Sequence, residues 1–228
     1  MQYNKTKGTN MNRKLLLIIV IIGFITLTGC ASTNTPKSSS VDIEKEMEVQ
    51  TKLELISILR YQKRLDNISH PIMRGGHTFC DGKVTSGIGL RIANKESFPD
   101  GLQKAAEAEF GLDNHTKVLW LVEDTPAQNS GILAGDTIIS VNGYKISGGK
   151  EGLEDYKEAL KSAFHKSEPL SISIQRNGQE FSYAIKTDKI CEYPVTAILD
   201  ATPNAFADGN MIGVNSGLLR LFMSVMWP

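Results

Sequence analysis

The stretch Val122 to Gly143, VEDTPAQNSGILAGDTIISVNG, prescribes much of its own backbone. Thr125 followed by Pro126 predicts an N-cap and the first position of a short helical turn, because proline's fixed φ and missing N–H cost nothing there. Gly131 is placed to end that turn in the left-handed region. Ile132 then folds back to pack, and the Gly135-Asp136 pair turns the chain. Ile138, Ser140 and Val141 lead a strand into Asn142-Gly143, a strong short hairpin signal. The expectation is strand, one helical turn, strand, tight turn, a corner that any small β domain can use.

Taken in order and at their spacing, Pro126-Ala127, Gly131-Ile132, Gly135-Asp136, Ile138 and Val141-Asn142-Gly143 resemble the signature of bacterial PDZ domains, as in the HtrA-type proteases. Upstream, Gly87-Ile88-Gly89-Leu90-Arg91 also suits a plain glycine-flanked strand start. It is similar to that family's carboxylate-binding loop and the strand after it, which implies that successive backbone N–H groups receive the C-terminal carboxylate of a guest peptide. Phe98 to Phe110, rich in Ala and Glu and followed by Gly111, reads as a helix inserted relative to the smallest PDZ domains. Lys117 to Val122 (KVLWLV) reads as a buried strand. Glu151 to Phe164 is amphipathic, with Leu153, Tyr156, Leu160 and Phe164 on one face. The resemblance implies that this helix is the second wall of a peptide groove, so Leu153, Tyr156 and Leu160 join the candidate peptide contacts. Leu170 to Arg176 and Glu180 to Lys186 alternate around Asn177-Gly178 as a closing hairpin. The order is similar to the circularly permuted bacterial PDZ type. The expected fold class is therefore α+β: a PDZ-like small β-barrel or sandwich capped by two helices, spanning residues 85–188.

With 228 residues, 41% of them hydrophobic, the chain can bury a real core in one or two domains. The formal charge is zero, but Lys5, Lys7, Arg13 and Lys14 precede residue 30, leaving 21 basic against 25 acidic side chains. A mildly acidic remainder without a basic stripe argues against nucleic acid as a partner. Those early bases are followed by the apolar run Leu15 to Thr28, too short to span ~30 Å of hydrocarbon comfortably. Residues 1–29 thus read as a secretory signal. Leu27-Thr28-Gly29-Cys30 resembles the lipobox of bacterial lipoproteins, which implies that Cys30 is lipidated, becomes the first mature residue and attaches the protein to the membrane. Residues 30–40 (CASTNTPKSSS) form a polar tether. With no Asp after the cysteine, the resemblance implies outer-membrane rather than inner-membrane delivery, within the cell envelope and facing the periplasm.

Residues 41–84 read as a helix and a connector. Val49, Leu53, Ile56 and Leu59 fall at helical spacing over Val41 to Asn67, with Leu55 and Ile58 widening the stripe. Such a helix carries more apolar surface than a solvated stalk needs, so it is expected to dock, and His70-Pro71 is expected to end it. His70 and His77 stand seven apart across a loop sequence, a poor metal arrangement. With Cys30 lipidated, Cys80 and Cys191 are an even pair in an oxidising compartment, and a disulfide between them is expected.

The tail, residues 189–228, reads as strand Val195 to Leu199, a turn at Asp208-Gly209, strand Met211 to Val214 and a helix from Ser216. Asn204-Ala205-Phe206-Ala207-Asp208-Gly209, with Ile212 and Ser216-Gly217-Leu218-Leu219, resembles the opening of the HtpX-type zinc metallopeptidase domain, so the tail is read as a partial α+β start of such a domain. That family uses HExxH and zinc. The four histidines here, His70, His77, His115 and His165, include none followed by Glu and no two four residues apart, so no cofactor, metal ligand or catalytic residue is assigned, and zinc is expected only in full-length relatives. The expectation is a lipid-anchored module that binds extended or C-terminal peptide segments and does not cut them, the front part of a PDZ-linked zinc metallopeptidase. The alternative is a truncated or frameshifted copy of an active membrane-associated metalloendopeptidase of protein quality control. Exposed Leu218, Leu219, Leu221 and Phe222 would form an apolar patch in the tail.

Overall fold

The structure is a computed structural model that describes residues 39–166 and 169–226, without the side chains of residues 164–166 and 222–226. The segment read as a secretory signal, Cys30, most of the stretch read as a tether, and the side chains of Phe164, His165 and Phe222 lie outside the described residues. The chain divides after Ser40, and apart from Ser40 itself the elements described below lie in the second unit.

Helix α1 (Ser40–Gly75) leads through a 3-10 turn (His77–Phe79) into β1 (Val84–Gly87) and β2 (Leu90–Ala93). There follow α2 (Asp100–Phe110), β3 (Lys117–Leu121), β4 (Thr137–Val141), β5 (Tyr144–Lys145), α3 (Gly149–Lys166), β6 (Leu170–Arg176), β7 (Gln179–Ile185) and β8 (Asp188–Cys191). Strands β9 (Val195–Ile198), β10 (Ala205–Ala207) and β11 (Ile212–Asn215) and helix α4 (Ser216–Met226) complete it. The main sheet runs β2-β3-β4-β6-β7 with β5 paired to β4, every pairing antiparallel. Beside it lie a β1-β8 ribbon and a small β10-β11-β9 sheet, in which β11 and β9 are parallel.

Local sequence accounts for the turns. Asn142-Gly143 and Asn177-Gly178 all have φ between 49° and 78°, the backbone that a two-residue hairpin turn requires. The corner around Thr125 differs from its sequence expectation: Pro126 to Gly131 form consecutive turns, not a helix. Thr125 does not cap them, because its hydroxyl donates backwards to the Val122 carbonyl (2.6 Å). Asp136 is buried, and its carboxylate accepts from Arg176 Nε and Nη2 (both 2.6 Å) and from the Leu133 N–H (2.8 Å). A buried charge is tolerable when paired and hydrogen-bonded in this way.

The main core lies between the sheet and α3, around Ile88, Val118, Ile138, Val141, Tyr156 and Ile172. A second cluster forms on the other face of β2 and β3, where Leu55 of α1 meets Ala93, Ala106 and Leu112. This explains the nearly unbroken apolar run of β3, since a strand covered on both faces has no polar side to display. A bulge sharpens the division. Arg91 pairs with Trp120 and Ile92 with Val118, so Leu119 is the extra residue and packs with the α1 cluster.

Helix α1 departs from expectation in two ways. It does not stop at His70-Pro71 but continues to Gly75 with Pro71 inside, although an interior proline costs about 3 kcal/mol. The last turns are held from outside. Arg74 Nη1 donates to the Asp124 carbonyl (3.2 Å) and pairs with Asp188 (3.3 Å), and the Gly76 N–H closes on the Ile72 carbonyl (2.8 Å). The buried face is also rotated from the one expected: Leu55 and Leu65 are buried, Ile58 and Leu59 pack beside them, and Val49 and Leu53 are exposed. The helix docks on this chain's own sheet and on its tail, where Leu65 packs with Ala197 and Leu219. Leu219 is thus buried, while Leu221 remains exposed.

Candidate functional site

The Ile88-Gly89 link between β1 and β2 is built by the Val122–Gly143 corner. The Ile88 carbonyl accepts from the Ala127 N–H (2.9 Å) and the Gly89 carbonyl from the Val122 N–H (2.8 Å), while no described residue accepts from the N–H of Ile88 or Gly89. Both carbonyls therefore face the protein, and two adjacent donors are left over. Gly89 sits at φ +75°, and a Cβ there would stand 2.4 Å from the buried Thr125 side chain. Only glycine fits this point.

Strand β2 pairs with β3 alone, so its other edge is unpaired within the sheet. Next to the link lies a cavity of about 740 Å³, lined by Gly87 to Arg91, by Tyr156 and Leu160 of α3, and by Ser69, His70 and Met73 of α1. That volume lies within the ordinary range for ligand sites. Ile88, Leu90, Tyr156 and Leu160 belong to the main core cluster, which makes the α3 side apolar. Leu153 is placed differently from its sequence assignment. It is half-buried and does not line the cavity, whereas its neighbour Glu154 does. Arg91 also lines the cavity, and its side chain pairs with Asp66 of α1, which lines it too.

Asp66 is buried and accepts four hydrogen bonds: from Arg91 Nε (2.9 Å) and Nη2 (2.5 Å), from Trp120 Nε1 (3.0 Å) and from Gln62 Nε2 (2.7 Å). Gln62 reaches further. Its Nε2 also donates to the Val195 carbonyl (2.9 Å) and its Oε1 accepts from the Ala197 N–H (2.8 Å), the two bonds a neighbouring strand would make to β9. Across the mouth of the cavity, Lys161 of α3 pairs with Glu192 (3.4 Å). Both are exposed, so this pair contributes little. Burial holds the His70 imidazole below its ordinary pKa, against the opposing pull of Asp188 and Asp66. Its Nε2 is buried without a hydrogen-bond partner.

The Cys80 and Cys191 sulfurs are bonded, with Cα atoms 5.7 Å apart. The bond ties the 3-10 turn to the end of the β1-β8 ribbon. Closing a loop of 111 residues is worth about 4–5 kcal/mol in the chain-entropy account. Among the described residues, no group of three or more His, Cys, Asp or Glu is placed to hold a metal ion, and no helix is long and apolar enough to cross a membrane.

Sequence reasoning missed Ser69, His70 and Met73. With Asp66 they fall at i, i+3, i+4 and i+7, one face of a helix, a pattern legible in the sequence except that Pro71 argued against a helix there.

Residues 117–173 match the family model of the PDZ domain. The chain carries a PDZ domain. Its similarity is HtrA-like: a Serine protease Do-like HtrA of Lactobacillus helveticus is 26% identical over 109 residues, which are 47% of this chain and 25% of that protein. The chain thus spans about a quarter of the length of that curated relative. Among solved structures, the HtrA3 PDZ domain bound to a phage-derived ligand is 20% identical, with 47% of this chain and 88% of that one covered and a TM-score of 0.33. The HtrA-type protease AlgW with a decapeptide is 21% identical, covering 46% and 30% at a TM-score of 0.34. The photosystem II D1 C-terminal processing protease is 19% identical, covering 48% and 24% at 0.33.

Proposed function

We propose that this PDZ domain binds extended peptide segments, C-termini foremost, by strand addition to β2, with the backbone of Gly87 to Gly89 receiving the terminal carboxylate. The observation that carries the reading is the pair of unengaged N–H groups at Ile88 and Gly89, beside an edge strand and an apolar cavity. Solved relatives carry such guests, a phage-derived ligand on the HtrA3 PDZ domain and a decapeptide with AlgW. Tyr156 and Leu160 take the terminal side chain. Calorimetry with one apolar-ended peptide, free and amidated at its C-terminus, tests this: the free acid binds at least about tenfold tighter, and Gly89→Ala removes the difference. Equal affinities for the two peptides would take the carboxylate loop out of the account.

The finer proposal places the module in the cell envelope, anchored through lipidated Cys30 and facing the periplasm. It is supported by the basic-then-apolar start and by Leu27-Thr28-Gly29-Cys30. Cells fed labelled fatty acid should label the parent protein and not Cys30→Ala. Undiminished label on the variant would contradict the anchor. The resemblance of Asn204 to Gly209 and Ser216 to Leu219 to an HtpX-type opening supports a role as the recognition part of a zinc metallopeptidase. On this reading residues 31–228 bind without cutting. Purified and supplied with zinc, they leave unfolded casein intact, and chelator-sensitive turnover would contradict a purely binding role.

A further inference from the structure

Two walls, β2 and α3, suffice for a strand-addition groove, yet this cavity has a third. Helix α1 presents Asp66, Ser69, His70 and Met73 to it, all on one helix face. Asp66 is fully occupied by Arg91, Trp120 and Gln62. The other three are not. No described residue hydrogen-bonds the side chain of Ser69 or His70, and His70 Nε2 is buried without a partner. Met73 reaches the cavity only because α1 continues past Pro71, held there by Arg74 on Asp124 and Asp188.

Strand alternation says what such a wall would meet. Along β2, Leu90 and Ile92 point into the core beneath α3, whereas Arg91 points to the opposite face, towards Asp66 of α1. A peptide added beside β2 alternates in the same register, so side chains on the Leu90 face enter the Tyr156–Leu160 side and their neighbours share the Arg91 face. With the terminal carboxylate at Gly87 to Gly89 and the last side chain beside Tyr156, the penultimate side chain turns towards α1. We propose that α1 is a third wall of the groove and that Ser69, His70 and Met73 read the penultimate residue of the guest, selecting a large amphipathic side chain such as tyrosine. The flexible thioether of Met73 packs against the ring, and the hydroxyl end faces the polar Ser69–His70 side. This rests on the peptide-binding reading above.

The test uses the full chain, purified in detergent, and two labelled hexapeptides ending in free valine that differ only in tyrosine or glycine at the penultimate position. By fluorescence anisotropy the tyrosine peptide binds about tenfold tighter to the parent. Met73→Ala reduces that ratio below about threefold while leaving the glycine peptide's affinity unchanged; Met73→Leu restores it. Ile72→Ala, on an exposed side chain outside the cavity, leaves the ratio at its parent value. Should Met73→Ala lose its fold by circular dichroism, Ser69→Phe, which fills the middle of the wall, collapses the ratio instead. A ratio near one for the parent, or a full ratio surviving in the variant, overturns the third wall while carboxylate-dependent binding stands. If neither peptide binds in preference to its amidated form, the groove reading falls and the third wall with it.

Discussion

A single buried carboxylate, Asp66, joins the parts of this molecule that the sequence presents as separate. Taking a carboxylate out of water costs several kcal/mol unless its oxygens are fully engaged, and here four donors from three elements converge on it. Arg91 belongs to the edge strand of the PDZ sheet, Trp120 to the strand beside it and Gln62 to the helix itself. Because Gln62 also bonds both Val195 and Ala197, the tail sheet is joined to the same network. Helix α1 is thus a structural layer of the PDZ region, with Leu55 buried in the cluster against the main sheet and Leu65 in the cluster with the tail.

The loop facing the groove is held with comparable economy. Thr125, tied to Val122, fills the space that a side chain at position 89 would need. The two loop carbonyls are used by Val122 and Ala127. The corner therefore orients the loop so that its donors face away from the core. This is a backbone device, which reads a carboxylate by geometry and leaves side-chain selection to the walls around it.

Most of the PDZ region was legible in the sequence because its turns use residues with few alternatives. Asn142-Gly143, Asn177-Gly178, Gly131 and Gly111 each sit at positive φ, and the alternation of β6 and the stripe of α3 point to one core. Long-range polar choices were not legible. Nothing local marks Asp66 as buried, Gln62 as a strand mimic, or Asp136 as the partner of Arg176 forty residues on. Pro71 misled for a physical reason: its local cost is real, yet the helix runs on through it to Arg74, which contacts Asp124 and Asp188 far along the chain. Helical spacing puts Leu153, Tyr156 and Leu160 on one face without saying which of them line the cavity, and Leu153 does not.

Native-state hydrogen exchange tests most directly whether α1 is part of the PDZ structure. If the Asp66 clamp and the Leu55 cluster hold as described, amides from Leu55 to His70 exchange with the same opening free energy as those of β3 and β4, as one cooperative unit. Exchange of the α1 amides through an independent opening, several kcal/mol easier than that of the sheet, would contradict the account and return α1 to the status of a connector.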